Sequence, residues 1–200
     1  MYGLRLVREE FLPALIMLVL FTGLCGLAYP LGVTIVASAL CPDAAAGSII
    51  AHNGAAVGSV LLGQPFTRPE YFWGRPSATA PMPCNGAASS GSNLSADNPA
   101  LSDAVAARLQ ALTAADSTAV LPVPVDLLTA SGSGLDPHLT PAAVLLQVPR
   151  VARARGLDEA RLRAMVLRRV ETPWLDAWGA SCINVLQLNL ALDRDGEERN

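Results

Sequence analysis

Between Phe11 and Pro42 the chain carries no charged residue, and its apolar positions follow one another without the polar stripe of a soluble helix. A bilayer core takes roughly 20 apolar helical residues. The run therefore predicts a transmembrane helix at residues 11–37, after a short segment 1–10 and before a domain at 38–200. A cleaved signal peptide is the rival reading, but its apolar region spans only about 7–15 residues. Ala37-Ser38-Ala39 has the look of a cleavage site, yet it lies too far downstream. Leu24 and Leu40 precede Cys25 and Cys41, where lipoprotein processing expects a small residue. A retained anchor is the better reading. Arg5 and Arg8 flank it on the N-terminal side, and the next Arg is Arg68. The positive-inside rule then puts the N-terminus in the cytoplasm and the domain outside. Pro30 is expected to end or kink the helix, and Gly23 and Gly26 offer a small-residue face to another membrane helix.

After the anchor the pattern shortens. Residues 43–98 are rich in Gly, Ala, Ser, Pro and Asn, with short apolar pieces such as "SVLLG" that read as strands between turns. Asn98 and Pro99 then open a helix whose stripe is Leu101, Val105, Leu109 and Leu112. In "VLPVPVDLLTAS", Val123, Val125 and Leu127 alternate as in a strand, which its prolines restrict to an edge or an irregular segment. Thr140 and Pro141 start a further helix, which Pro149 should kink or interrupt and Gly156 should terminate. Asp158 caps the next one, with Leu162, Met165, Val166 and Val170 buried and Arg161, Arg163, Arg168 and Arg169 on a solvated face. Pro173 stops it. Finally Leu186, Leu188, Leu190 and Leu192 alternate with Gln187 and Asn189, a half-buried strand. The expected fold is α+β: one transmembrane helix, then one extracytoplasmic mixed domain.

Composition narrows the chemistry. Of 200 residues 52% are hydrophobic and 16% charged, and the net charge of −3 leaves no footprint for nucleic acid. All 14 basic residues are Arg. Without Lys there is no Walker-A phosphate loop, no Schiff base, and no phosphorylation motif of a P-type pump. Cys25 lies within the predicted membrane helix, while Cys41, Cys84 and Cys182 fall on the outer side, where one disulfide can form among the three. The absence of C-x-x-C and the wide spacing of the two His argue against a zinc site. No catalytic or metal-binding residue is assigned.

Two stretches remain. "SGSGLDPH" crowds Ser131, Ser133, Gly134, Asp136 and His138, but the pattern G-x-S-x-G fails because Thr129 and Ser131 occupy the first-Gly positions. Tight turns ahead of the Thr140 cap explain these residues better. "YFWGRPSAT" sets Tyr71, Phe72 and Trp73 beside Arg75, whose backbone is preset by Gly74 and Pro76. An Arg with aromatic neighbours suits a partner interface, with Ser77 at its edge, or an internal stack on its own domain.

With those residues in view, "YPLGVTI", "GSVLLGQPFTRPEYFWGRPSAT", "SSGSNLSADNPAL", "PVDLLTASGSGLDPHLTPAAVLLQVPRVARARGL" and "NVLQLNLALD" together resemble, in order, the C subunit of the bacterial Kdp potassium-transporting ATPase. The resemblance spans nearly the whole chain. It implies a single-pass accessory subunit of the cytoplasmic membrane, non-catalytic by itself. Its partners would be a channel-like potassium-binding subunit, a P-type ATP-hydrolysing subunit and a small stabilising peptide, with K⁺ as cargo. The family is described as needed for assembly, and as a catalytic chaperone that raises the pump subunit's affinity for ATP. A nucleotide motif has been seen in its "Q-x-x-R-V-A-x-A-R-G" region, here Gln147 to Gly156. An outside domain cannot meet cytoplasmic ATP, so an indirect effect is expected. The alternatives are a free-standing membrane-anchored hydrolase using Ser133 and His138, or a tethered binding module.

Overall fold

The structure is a computed structural model that describes residues 2–52, 54–116, 122–173 and 179–197. It divides into two compact units, Met1–Ile49 and Ile50–Asn200. The first is helical: α1 (Tyr2–Phe21), a π-helical stretch at Thr22–Ala28, α2 (Tyr29–Leu40) and the short α3 (Pro42–Ala45). Its apolar part, Glu9–Leu40, runs 32 residues with none of its apolar window buried. At 1.5 Å per residue this is about 48 Å, enough to cross a bilayer. Pro30 does not end the helix. The helix runs on from the π-helical stretch without a break, and the wider π turns just before Pro30 accommodate its missing N–H. The helix also continues to Leu40, past the expected boundary at 37.

The second unit opens with the paired strands β1 (Ile49–His52) and β2 (Ala55–Ser59). The piece "SVLLG" is therefore the end of a strand and the turn after it. The Ser59 hydroxyl accepts the Leu61 N–H at 3.1 Å, which bends the chain. From residue 60 to residue 98 no helix or strand forms. Next comes α4 (Pro99–Ala115), capped by the Asn98 side chain on the Ala100 N–H. Its apolar stripe faces inward as expected, though only Leu112 is fully buried.

Of the two readings for the stretch around Val125, edge strand or irregular segment, the second holds: it forms a single 3₁₀ turn at Val125–Leu127. Prolines at 122 and 124 cannot donate to a ladder, and the Asp126 carboxylate instead accepts the Thr140 N–H at 2.7 Å. Leu127 goes into the core and Val125 stays exposed.

Strand β3 (His138–Leu139) leads into α5 (Pro141–Arg155), which Thr140 caps through the Ala143 N–H. Pro149 does not interrupt α5, because burial of Val144, Val148 and Val151 outweighs the one lost hydrogen bond. Gly156 ends it at φ 64°, a conformation that favours glycine. The Leu157 N–H closes back on the Ala152 carbonyl at 2.8 Å. Helix α6 (Glu159–Leu167), capped by Asp158, packs against α5 through Leu162, Met165 and Val166. Of its arginines Arg161, Arg163 and Arg168 are exposed, and Arg161 reaches Asp195 at 2.8 Å. Strand β4 (Ile183–Asn184) pairs antiparallel with β3, His138 opposite Asn184 and Leu139 opposite Ile183.

The last element reverses the expectation. "NVLQLNLALD" is a helix, α7 (Val185–Glu197). Asn184 starts it by accepting the Gln187 N–H at 3.1 Å. In a strand Asn189 would share the outer face with Gln187. In the helix it is 1% exposed, beside buried Val185, Leu188 and Leu192, while Gln187 remains exposed. Removing Leu188 should therefore be costly. Leu188→Ala should destabilise the detergent-solubilised chain by about 2–5 kcal/mol, and Gln187→Ala by less than about 0.5. Chemical denaturation of both variants checks this.

Candidate functional site

The aromatic segment belongs to neither a helix nor a strand, so its backbone has no ladder partner. Side chains supply the missing hydrogen bonds. On α7, the Asn189 amide accepts the Phe72 N–H at 2.9 Å and donates to the Phe72 carbonyl at 3.0 Å. On α5, the Gln147 amide does the same to Trp73, at 2.8 and 3.1 Å. Gln147 also donates to Ala143 O and accepts from Arg150, so both of its amide ends are satisfied.

Arginines complete the grip. Arg150 is 4% exposed and donates to the carbonyls of Pro69 at 2.6 Å and Tyr71 at 3.1 Å, with its guanidinium 4.4 Å from the Trp73 ring centre. Burial pushes its pKa down to about 10, while the nearby Asp116 charge opposes the shift. At neutral pH it is a buried cation satisfied by carbonyls and an aromatic face. Arg155 donates to Glu70 O at 2.7 Å, pairs with Asp193 at 2.7 Å, and lies 4.9 Å from the Tyr71 ring centre. The Tyr71 hydroxyl reaches the same Asp193 at 3.1 Å, and the Trp73 indole N–H donates to Arg68 O at 3.0 Å. Burial and the Asp193 carboxylate push the Tyr71 pKa up.

Arg75 is aimed elsewhere. Its Nη1 pairs with Asp136 Oδ2 at 3.0 Å, inside its own domain, and no aromatic ring stacks on it among the described residues. The cations over the aromatics are Arg68, Arg150 and Arg155. Ser77 donates to the Gly134 carbonyl at 2.7 Å and accepts the Cys84 N–H at 2.8 Å. Gly134 has φ 69°, and a Cβ there would lie 2.5 Å from Ser90 O. The two stretches singled out in the sequence thus meet: Arg75 on Asp136, Ser77 on Gly134.

Of the five candidate interface residues, Phe72 is fully buried and belongs to the core. Tyr71, Trp73, Arg75 and Ser77 are half-buried. Ser131 and Ser133 face each other at 3.4 Å, and neither hydroxyl is hydrogen-bonded to His138, which sits beside Asp136. That arrangement lacks the nucleophile–base contact of a hydrolase. Gly23 and Gly26 both fall in the π-helical stretch, with open space or a single methyl contact beside them. All four cysteines are free thiols. Sequence reasoning missed Gln147, Arg150, Arg155 and Asn189 as the residues that hold the segment.

A family model described as "KdpC: K+-transporting ATPase, c chain" matches residues 11–194. The chain belongs to the KdpC family. It is 59% identical over 181 residues to the potassium-transporting ATPase KdpC subunit of Sorangium cellulosum, covering 90% of this chain and 95% of that protein. Identity to the KdpC subunit of Polaromonas naphthalenivorans is 56% over 181 residues, 90% of this chain and 92% of that one. The subunit from Janthinobacterium sp. is 50% identical over 188 residues, 94% of this chain and all of that protein. As a KdpC chain it carries one N-terminal apolar helix fit for a membrane anchor.

The clamps make a sharp prediction. Asn189→Leu keeps the volume but strands both Phe72 backbone groups, at about 1–3 kcal/mol for each unsatisfied group. It should lower stability by about 2 kcal/mol or more. Arg150→Lys, which keeps the charge but loses the fork, should also destabilise. Thermal unfolding of the detergent-solubilised variants reads both.

Proposed function

We propose that this chain is the accessory subunit of a Kdp-type potassium uptake ATPase, non-catalytic by itself. It is needed to assemble the complex and raises the ATP affinity of the P-type subunit indirectly. The observation that carries the reading is the family match over residues 11–194, which takes in both the apolar helix and the folded domain. The proposed partners are the channel-like potassium-binding subunit, the ATP-hydrolysing subunit and a small stabilising peptide, with K⁺ as cargo.

The proposed orientation has the N-terminus in the cytoplasm and the domain outside. Arg5 and Arg8 before the helix, with no further Arg until Arg68, support it. An indirect effect on ATP also agrees with the donors of the Gln147–Gly156 motif. Gln147, Arg150 and Arg155 spend hydrogen bonds on their own domain, and Arg153 lies 3.5 Å from Asp116. The half-buried edges of Tyr71, Trp73, Arg75 and Ser77 form the proposed docking surface for a partner.

Co-purification from native membranes tests the core of the reading. The other ATPase subunits should come down with the tagged chain, and a chain recovered alone with esterase or ATPase activity would overturn it. Orientation has its own measurement. In sealed spheroplasts, after reduction and unfolding, a membrane-impermeant thiol reagent should reach Cys84 or Cys182. Labelling that requires lysis would reverse the topology and reopen direct contact with ATP.

A further inference from the structure

One cluster of ligating side chains lies outside the clamps. The imidazole of His138, the carboxylate of Glu171 and the thiol of Cys182 place one ligand atom each within 4.8 Å of one another. They come from three neighbouring backbone segments that are hydrogen-bonded together. Glu171 and Cys182 exchange both backbone bonds, at 2.8 and 3.0 Å, and β3 and β4 pair directly beside them. We propose that His138, Glu171 and Cys182 form a binding site for a transition-metal dication, Zn²⁺ by the chemistry of the set.

The ligand set decides the class of ion. A thiolate, an imidazole and a carboxylate suit Zn²⁺, whereas Mg²⁺ and Ca²⁺ take oxygen ligands. Three protein ligands leave one tetrahedral position open to water, and Glu171 is exposed to solvent. On zinc, neighbouring ligand atoms stand about 3.3–3.6 Å apart. Closing from separations of up to 4.8 Å asks for side-chain rotation.

The surroundings favour a cation. Asp136 Oδ1 lies 3.4 Å from His138 Nδ1, and Asp136 is itself held by Arg75. A carboxylate beside Nδ1 favours the tautomer whose Nε2 lone pair is free, the arrangement usual behind a zinc-bound imidazole. Burial, and then the charges of Glu171 and Asp136, push the Cys182 thiol up. The same negative field draws a dication, which displaces the thiol proton on binding. Bound metal would tie the end of the α6 segment to β3 and β4.

Co²⁺ is the probe, because thiolate ligation gives it a charge-transfer absorption. The full-length, reduced chain in detergent should bind a single Co²⁺ with that band, and Zn²⁺ should displace it. Cys182→Ser should abolish the band. Glu171→Gln, a solvent-exposed change that leaves the fold intact, should weaken binding roughly tenfold or more. Cys84→Ser should change nothing, and Zn²⁺ should raise the Tm of the wild type but not of Cys182→Ser. Absence of the band, its survival in Cys182→Ser, or its loss in Cys84→Ser would overturn the site.

Discussion

Two side-chain amides gripping two consecutive backbone units are the constraint on which the rest of this domain depends. From residue 60 to residue 98 the chain forms neither helix nor strand, yet it runs through the core at Phe72. Buried backbone N–H and C=O groups must find partners. Asn189 and Gln147 provide them by presenting an amide, which mimics the edge of a strand. Each amide stands on a helix packed into the same core, so helix and loop cannot be placed independently. The fold is held by helices that recruit a loop, where most α+β domains would use a sheet. Among the described residues its two small sheets have two strands each.

The arginines extend the same logic. A buried cation is expensive unless its donors are satisfied. Arg150 answers that cost with two main-chain carbonyls, the Gln147 oxygen and the face of Trp73. Only a planar fork can serve several acceptors while lying flat on an indole. Lys could not take this place, and the chain contains none. Arg155 repeats the pattern one turn and more along α5, joining Glu70, Tyr71 and Asp193. Helix α5 is amphipathic in an unusual sense, because one edge of its buried side is polar and each polar atom there has a task.

How much of this the sequence carried can be judged residue by residue. The anchor, the caps at Asn98, Thr140 and Asp158, and the Gly156 terminus were all legible, because each depends on local chemistry. The last segment was misread because leucines two apart also fit a helix when every third or fourth position is apolar. Asn184 followed by Gln187 was the overlooked signal, a helix-start pattern. Asn189 and Gln147 were illegible for another reason. A polar residue on an apolar stripe looks like solvent exposure until its partner is known, and the partners here lie far away in sequence. His138, Glu171 and Cys182 were hidden in the same way, since strand pairing alone brings them together.

This arrangement changes how substitutions in the Gln147–Gly156 stretch should be understood. A loss of nucleotide response after changing Gln147, Arg150 or Arg155 would look like loss of a binding motif. Each change first removes a clamp, however, and leaves Trp73, Tyr71 or Glu70 with unpaired backbone. The penalty for an unsatisfied buried group is about 1–3 kcal/mol, a large share of a domain's stability. Stability would fall before any ligand contact could be weighed. Arg153 is the informative position, because it is on the same helix turn and is exposed, at 59% of its side chain. It too has a structural tie, to the buried Asp116 at 3.5 Å, so a phosphate effect assigned to it would have to exceed the loss of that pair.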